Sequence, residues 1–545
     1  MHNLLKSSKT TSVLLILFLF HQFRYILIGG STYDTISHRF ASGKVLNKII
    51  AIFSGDLNSP SLSEFSTGES FGFIVMLPSY IFGHSMRILN KQLNIDIFDN
   101  FFNTEDAIVY FFMNLSLNIY IAIGLAFIYF ILKKMYGVLY SNLFLVFLLL
   151  TPSFIGHSLF NFKDIPFAIN LLICNLLLLS KFNFLESSIR SREIIQLGFI
   201  FSLPSLIRLN GLLFSGLTVA YLILINFKKT KPINILRASL IVACSLFFIY
   251  IFSPQAWVRP DLYLDLSIKQ QFLHGWTGAT LTNGNFIYAQ DITWNYLLTW
   301  FSYKLPIIFI LGFLIFTFKK LKGENFSIIA NYSYFFICSM FILFSIVRPT
   351  AYDGLRQYLF LVPYFVIIFT ELITKLPINN KSFTYITIFS IFYLIITQMG
   401  LKEAKYAYFN EFTNLKNISY FCEENIDGCG NWPTDYWGFT GKSLANEINS
   451  LEDPVNVITC KPFHSFNSYL SQNINVIDID QIESQTFKEG FYYVATFHRP
   501  RINDDSCYFL NRNINYACEN ISTVYRKIRN QKISMAYLNL CNIYY

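Results

Sequence analysis

Apolar runs long enough to cross a lipid bilayer recur along the first 399 residues of this chain. A helix needs ~20 apolar residues to span the hydrocarbon core, and several of the runs reach that length. Charged residues make up only 14% of the 545 residues, whereas a soluble domain has ~25%. The sequence therefore predicts a polytopic α-helical membrane protein.

About eleven transmembrane helices are predicted from these runs. Their approximate ranges are 11–30, 106–132, 138–155, 166–181, 194–207, 210–227, 234–252, 303–318, 327–347, 358–374 and 382–399. A further stretch at 71–90 predicts either a span or a helix in the membrane interface. The segment 194–227 predicts either two short spans or one broken helix, because Pro204 and Arg208 lie in its middle.

Basic residues between the spans predict the orientation of the chain. If the N-terminus is cytoplasmic, the basic clusters of the short loops all fall on the cytoplasmic side, as the positive-inside rule requires. These clusters contain Lys133, Lys134, Lys181, Arg190, Arg192, Lys228, Lys229, Lys231, Lys319, Lys320, Lys322, Lys375 and Lys381. The loops predicted outside are 31–105, 156–165, 253–302, 348–357 and 400–545. The net charge of +9 is thus explained by topology and does not indicate nucleic-acid binding.

The chain becomes polar after residue 399, which predicts two domains. Residues 1–399 form the transmembrane domain, with 31–105 as its first outer loop. Residues 400–545 are predicted to form a small extracytoplasmic α/β domain of ordinary size. Its predicted elements are a helix at Gly441–Ile448 and strands at Val455–Thr459, Ile474–Ile479 and Tyr492–Thr496.

Six of the nine cysteines lie in this polar region, which fits an oxidising compartment. They are Cys422, Cys429, Cys460, Cys507, Cys518 and Cys541. Their spacing does not match a zinc site. Short separations favour the pairs Cys422–Cys429 and Cys507–Cys518, but the sequence leaves the connectivity open.

A dense polar cluster lies between two predicted spans, where His157, Asn161, Lys163 and Asp164 fall close together. Asp164 is placed to cap the following helix, with Pro166 in its first turn. A capped helix N-terminus beside a lysine can bind an anion. The cluster therefore predicts either a site for a phosphate-bearing ligand at the membrane surface or a polar turn without further function.

Two other charged residues fall on the same predicted side. Arg356 begins a span from the outside, where an arginine either snorkels to the interface or holds a lipid phosphate with two hydrogen bonds. Asp34 follows the first span, and His38 lies four residues later. The Asp34 carboxylate is a candidate general base, with capping of a short helix at 35–40 as the alternative.

Several motifs together resemble a known group. They are Gly156-His157-Ser158 with Asn161-Phe162-Lys163-Asp164-Ile165-Pro166-Phe167-Ala168, Arg208-Leu209-Asn210-Gly211, Asn283-Gly284-Asn285-Phe286, Tyr296 to Trp300 with Lys304-Leu305-Pro306, Tyr352-Asp353-Gly354-Leu355-Arg356 and Asp435-Tyr436-Trp437-Gly438. The chain resembles the bacterial membrane glycosyltransferases of the GT-C class, related to protein O-mannosyltransferases and to the lipid A aminoarabinose transferase. The resemblance covers nearly the whole chain and implies a GT-C-like fold in the bacterial inner membrane.

The resemblance also implies an activity, which is transfer of a hexose or pentose from a polyprenyl-phosphate donor to an extracytoplasmic glycan, lipid or protein acceptor. It implies Asp34 as the catalytic residue. The predicted substrate-binding residues are His38, His157, Asn161, Lys163, Asp164, Arg208 and Arg356. Lys163 and Arg356 are the proposed phosphate partners, whereas His157 and Asp164 either shape the site or have structural roles. The family carries Asp followed by Glu in the first outer loop, whereas this chain has Tyr33-Asp34-Thr35. No metal ligand is predicted, and the departure leaves a divalent metal requirement open.

Two alternatives to this activity stay open. The first is another enzyme that acts on glycans, and the second is a transporter, which is a different class of protein. An O-antigen ligase-like or polymerase-like enzyme also acts on lipid-linked glycans, but depends on a large outer loop rich in Arg and His. A transporter predicts an internal repeat and charges at mid-membrane. The sequence shows no repeat, and its charges cluster toward one face. It also lacks the Gly-rich loop expected for a nucleotide-sugar donor.

Overall fold

The computed structural model describes residues 5–56, 58–93, 102, 104–180, 190–225, 232–272, 276, 278–377, 379–418, 430–451, 456–459, 464–478, 489–497 and 515–544. These residues form a mainly helical body and a C-terminal sheet, which confirms the predicted fold class. The boundary between the two domains at residue 399 stays a prediction.

The helices follow one another over most of the chain. Numbered in order, they are α1 (Lys9–Ile28), α2 (Tyr33–Ser54), α3 (Pro60–Ser63), α4 (Met76–Leu93), α5 (Glu105–Leu149), α6 (Pro152–Ser158), α7 (Asp164–Ser180), α8 (Ser191–Ser202), α9 (Gly211–Ile225), α10 (Pro232–Ile251), α11 (Pro260–Phe272), α12 (Tyr296–Lys304), α13 (Ile307–Leu321), α14 (Ile328–Val347), α15 (Val362–Lys375), α16 (Asn380–Gln398) and α17 (Gly441–Asn449). Short 3-10 helices lie at Thr67–Ser70, Pro254–Ala256, Arg356–Leu361, Lys402–Ala407, Leu415–Asn417 and His464–Tyr469.

Four described helices are long and apolar enough to cross a membrane, namely α1, α5, α14 and the continuous segment Arg356–Lys375. A fifth span results if α12 and α13, bent by 119°, are counted as one. Other predicted spans correspond to shorter apolar helices, Asp164–Ser180, Gly211–Ile225 and Arg237–Ile251. The structure therefore supports membrane helices, while the number eleven stays a prediction.

Gly137 divides α5 into two helical parts, which correspond largely to two of the predicted spans. The ranges 106–132 and 138–155 both fall largely on α5, which is interrupted at Gly137. Gly137 has φ of 85°, a left-handed conformation that glycine adopts without the steric cost of a Cβ atom. The direction of the chain can therefore change there.

The two ambiguous segments have clear structures. The described part of the segment 194–227 contains parts of two helices, α8 and α9, separated by a stretch of turns at 203–210. Most of the apolar stretch at 71–90 lies in α4, which packs along α5. Both outcomes fall within the alternatives that the sequence left open.

A buried polar network joins four helices in the apolar body. Asn175 of α7 donates hydrogen bonds to the hydroxyls of Tyr332 in α14 (3.0 Å) and Tyr364 in α15 (2.7 Å). Thr218 of α9 donates to Oδ1 of Asn175 at 2.7 Å. In a lipid bilayer, apolar side chains contact lipid as favourably as they contact another helix, so interhelical hydrogen bonds of this kind help to stabilise helix association.

A hairpin is formed by β1 (Ala279–Thr282) and β2 (Asn285–Tyr288). The C-terminal strands are β3 (Asn456–Thr459), β4 (Asn475–Asp478), β5 (Gly490–Phe497), β6 (Asn515–Ile528) and β7 (Gln531–Tyr544). They form a five-stranded sheet with the order β4-β3-β5-β7-β6. Strand β3 pairs in parallel with β4 and β5, whereas β7 pairs antiparallel with β5 and β6. The predicted helix and three predicted strands are confirmed.

The structure corrects one predicted disulfide. Cys518 and Cys541 face each other across the β6–β7 ladder and form a disulfide bond. The predicted pair Cys507–Cys518 is therefore wrong, because strand register places a cysteine distant in sequence directly opposite Cys518. Cys507 and the predicted pair Cys422–Cys429 lie outside the described residues, so the latter pair stays a prediction.

Candidate functional site

Asp34 lies in the first turn of α2, close to the end of α1. The chain between these helices passes closely against the C-terminal region, where the Gly30 N–H donates to the Phe439 carbonyl at 2.8 Å. Thr32 caps α2 by accepting a hydrogen bond from the Thr35 N–H at 3.1 Å. The alternative that Asp34 caps a helix at 35–40 is therefore wrong, because the capping hydrogen bond belongs to Thr32.

Asp34 faces two cations. Its Oδ2 atom lies 3.3 Å from Nζ of Lys163 and 3.7 Å from Nη1 of Arg356. Arg356 also pairs with Asp353, with 3.2 Å between Nη1 and Oδ2. The side chains of Asp34, Lys163 and Arg356 are only 15%, 11% and 5% exposed. Sequence-distant residues thus form one largely buried ionic cluster.

This cluster determines the charge states of Asp34 and His38. Burial alone would raise the pKa of Asp34, but the positive charges of Lys163 and Arg356 outweigh burial and hold the pKa well below its usual range. Burial, together with the positive charge of Lys163, lowers the pKa of His38 to about 3. Asp34 is therefore a carboxylate and His38 a neutral imidazole at neutral pH.

Asn161 organises the start of α7. Its Oδ1 atom accepts hydrogen bonds from the backbone N–H groups of Lys163 (3.1 Å) and Asp164 (2.8 Å). Its Nδ2 atom donates to Asp164 Oδ2 at 2.9 Å. Asn161 thus makes the capping hydrogen bonds that the sequence assigned to Asp164, because the tight turn before α7 points its side chain at these N–H groups. Asp164 instead forms an ion pair with Arg208.

A cavity of about 390 Å³ lies beside the ionic cluster. Lys163, Arg208, Arg356 and His38 line its polar end. Its apolar wall comes from α7, α9, α14 and the Arg356–Leu361 segment, and includes Phe167, Leu213, Phe214, Met340, Leu343 and Phe360. The cavity can therefore hold a molecule with an anionic group at one end and a hydrocarbon part at the other.

Three predicted substrate-binding residues do not line this cavity. His157, Asn161 and Asp164 are almost fully buried behind Lys163 and Arg208. Nε2 of His157 lies 2.9 Å from the Tyr436 hydroxyl, and its Nδ1 lies 3.4 Å from Nδ2 of Asn161. In this conformation, these residues hold the site in shape, and their predicted substrate contacts stay predictions.

Aromatic residues complete the cluster, and the sequence did not assign them to the site. The guanidinium of Arg356 lies over Trp437 at 4.4 Å and over Tyr352 at 5.0 Å. The ammonium of Lys163 lies 4.6 Å from the ring centre of Phe71. Cations over aromatic faces are stabilised without losing their charge. Trp437 and Tyr352 occur in motifs that marked the resemblance, whereas Phe71 has no local sequence signal.

A short loop carries Phe71 to the cavity. Buried Glu69 forms an ion pair with Lys48 and accepts a hydrogen bond from the Ser66 N–H at 2.9 Å. The Ser70 carbonyl accepts from Gln271 at 3.2 Å. A Cβ atom on Gly72 would lie 1.6 Å from the Leu206 carbonyl oxygen, so only glycine permits this approach. The loop is consequently fixed on several sides.

The surroundings of Asp34 do not fit a divalent metal ion. Its two nearest charged neighbours are cations, which repel a metal ion and supply no ligand oxygen. Within the described parts of the chain, no group of three or more His, Cys, Asp or Glu residues could hold a metal. Positive charge at this site is supplied by lysine and arginine side chains.

The fold and the site define a helical protein with helices long and apolar enough to cross a membrane. Its cavity is lined by cations, two of which pair with the carboxylate of Asp34. Two solved structures are similar to it, both of ArnT from Cupriavidus metallidurans. The apo structure has 11% sequence identity and a TM-score of 0.49, and the structure bound to undecaprenyl phosphate has 10% and 0.48. Each comparison covers 98% of both chains. No family model and no curated protein matches the chain.

Proposed function

We propose that this chain is an integral-membrane glycosyltransferase that moves a sugar from a polyprenyl-phosphate donor to an acceptor on the extracytoplasmic side. One observation carries the proposal. A buried carboxylate, Asp34, pairs with Lys163 and Arg356, and these two cations line the polar end of a cavity whose other wall is apolar. This arrangement combines a base, positive charge for a phosphate and a surface for a hydrocarbon chain.

The donor lipid fits the two ends of the cavity. Its phosphate would lie among Lys163, Arg208 and Arg356, since charge-assisted hydrogen bonds to phosphate are strong and arginine can supply two. Its prenyl chain would follow the wall formed by α9 and α14, where Leu213 and Leu343 line the cavity and are 49% and 38% exposed. Undecaprenyl phosphate, the lipid bound in one ArnT structure, is the natural probe.

The reaction is a displacement at the anomeric carbon of the sugar. The Asp34 carboxylate accepts the proton of the acceptor hydroxyl, and the acceptor oxygen forms the new bond to the anomeric carbon. The bond between that carbon and the phosphate oxygen breaks, and polyprenyl phosphate leaves with the electron pair. Lys163 and Arg356 stabilise the negative charge that develops on the departing phosphate.

The site also bears on the two alternatives. A transporter needs charged groups along a path through the membrane, whereas the charged groups here meet in one cluster with an apolar wall beside it. An O-antigen ligase-like enzyme would use an outer loop rich in Arg and His, while this cavity is built largely from helices and their connecting turns. Neither alternative is favoured by an observation of its own.

Deletion of the gene tests the proposal. Mass analysis of extracted lipids should find a polyprenyl-phosphate sugar that accumulates in the deletion strain, and analysis of cell-envelope glycans, lipids and proteins should find the same sugar missing. Complementation with the Asp34→Asn variant should leave both changes in place, while the wild-type chain should reverse them. Unchanged lipid-linked sugars and unchanged surface sugars would contradict the proposal.

A further inference from the structure

The three cations of the cavity are all neutralised from within the protein. Lys163 and Arg356 share Asp34, Arg356 also pairs with Asp353, and Arg208 pairs with Asp164. Three positive side chains thus face three negative ones. An anion that enters the cavity meets no excess positive charge unless one of these pairs opens.

The three carboxylates are held to different degrees. Asp164 and Asp353 are each 2% exposed, and Asp164 is also fixed by Asn161. Asp34 is 15% exposed, and it lies 3.3 Å from Lys163 and 3.7 Å from Arg356. Its buried Oδ2 atom makes no well-formed hydrogen bond with any residue that the structure describes. Asp34 is therefore the least enclosed of the three carboxylates and the one with most room to move.

We infer that in the ligand-free protein the Asp34 carboxylate holds the two cations that the donor phosphate would use, and that donor binding displaces it from Lys163 and Arg356. The inference rests on the proposed function. The lipid phosphate takes over both cations, and Asp34 turns toward the space where an acceptor hydroxyl arrives. The base and the phosphate thus compete for the same two cations.

This exchange sets the order of the reaction. The titratable and charged groups that act on Asp34 are Lys163, Arg356, His38 and Tyr352. While Lys163 and Arg356 hold Asp34, its pKa is too low for efficient proton transfer from a hydroxyl. When phosphate neutralises the two cations, the pKa of Asp34 rises toward its usual range and the carboxylate becomes a stronger base. The acceptor is consequently activated only after the donor has bound.

Equilibrium binding of undecaprenyl phosphate to the purified full-length protein tests the exchange. Asp34→Asn removes the competing charge, so this variant should bind the lipid about ten-fold more tightly than wild type, equivalent to about 1.4 kcal/mol. The same variant should lose transfer activity. A residue that served only to hold the fold would not show higher affinity together with lower turnover.

Asp106→Asn is the matched control. Asp106 also pairs with an arginine, Arg39, at 2.9 Å, but this arginine does not line the cavity. This variant removes the same charge and should keep wild-type lipid affinity and transfer. If Asp34→Asn does not fold, Asp34→Ser removes the charge with less volume and gives the same comparison.

The outcomes separate the inference from the proposed function. Lipid binding to wild type with equal or weaker binding to both Asp34 variants would overturn the exchange while leaving the transferase proposal standing. A similar gain of affinity in Asp106→Asn would also overturn it, because the effect would then be general attraction of an anion. No binding of undecaprenyl phosphate to the wild-type protein would overturn the proposed function itself.

Discussion

The hydroxyl of Tyr436 lies 2.9 Å from Nε2 of His157, although the two residues are 279 positions apart. His157 belongs to the polar cluster before α7, and Tyr436 belongs to the C-terminal region. The neighbouring residue Trp437 contacts the guanidinium of Arg356. The C-terminal region therefore forms part of the wall around the ionic cluster, and the transmembrane part alone does not complete the site.

Tyr436→Phe tests this connection. The variant keeps the aromatic contacts with Tyr406 and Trp437 but leaves the buried Nε2 atom of His157 without its hydroxyl partner. The free energy of unfolding should fall by about 1–3 kcal/mol, the cost of an unsatisfied buried polar group. Thermal unfolding of the purified protein measures it. Tyr544→Phe, at an exposed tyrosine, is the control and should leave the transition unchanged.

Lys163→Met and Arg356→Lys test the phosphate contacts. Lys163→Met should weaken undecaprenyl phosphate binding by roughly 1.5–3 kcal/mol, the range for a charged hydrogen bond. Arg356→Lys keeps the charge but cannot form a two-fold contact, so it should also bind more weakly. Lys375→Met, at a half-exposed residue paired with Glu371, is the control. Wild-type lipid affinity in both cavity variants would assign the two cations a structural role.

Much of the site could be predicted because its polar residues stand out against an apolar chain. Polar and charged residues on one predicted side of the membrane, together with the motif resemblance, predict five site residues. The structure brings these five together, namely Asp34, His38, Lys163, Arg208 and Arg356. The same signal failed to separate residues that line the cavity from residues that lie behind it, such as His157. Whether a side chain points into the cavity or lies buried behind it depends on tertiary packing.

Other features had no local signal. Phe71 reaches Lys163 through a loop fixed by Lys48, Glu69 and Gln271, which are far apart in sequence. The Cys518–Cys541 bond depends on strand register, which sequence separation does not encode. Span number was also difficult, because a break such as Gly137 depends on the backbone conformation at one glycine.

His38 predicts a dependence of stability on pH. The folded protein holds the pKa of His38 at about 3, mainly by burial, whereas an unfolded chain has the ordinary value of about 6.5. Above pH ~6.5 both states carry a neutral imidazole, so His38 contributes nothing there. Below it the unfolded chain binds a proton that the folded protein does not, and the free energy of unfolding decreases as the pH falls.

His38→Gln should therefore reduce the acid sensitivity of the protein. Between pH ~6.5 and ~5 the wild type should lose about 1.6 kcal/mol more than the variant, because the slope rises from half of 1.36 kcal/mol per pH unit at pH ~6.5 to nearly the full value at pH ~5. Unfolding transitions at a series of pH values measure the difference. Parallel curves for the two proteins would mean that His38 takes up a proton in the folded state over this pH range, which would contradict its lowered pKa.

Reporter fusions test the orientation. The basic turn between α13 and α14 should be cytoplasmic, so a fusion near residue 320 should show cytoplasmic activity, as should one near 230. A fusion near 420 should show extracytoplasmic activity. A cytoplasmic result near 420 would place Asp34 and the cavity on the side opposite to the one that the proposed reaction requires.

Leu213→Trp tests the route of the prenyl chain. Leu213 lines the apolar wall of the cavity and is 49% exposed, so a larger side chain there should obstruct the hydrocarbon part of the donor while leaving the cations in place. Undecaprenyl phosphate should bind more weakly by about 1–3 kcal/mol, the usual cost of overfilling a packed space. Dimethylallyl phosphate, with a single isoprene unit, should bind as it does to wild type, because its phosphate reaches Lys163 without the ligand contacting the apolar wall.

Leu311→Trp supplies the control, since Leu311 is equally exposed on α13 and does not line the cavity. Equal loss of both ligands in Leu213→Trp would indicate a distorted site, and equal retention of both would move the prenyl chain to another wall.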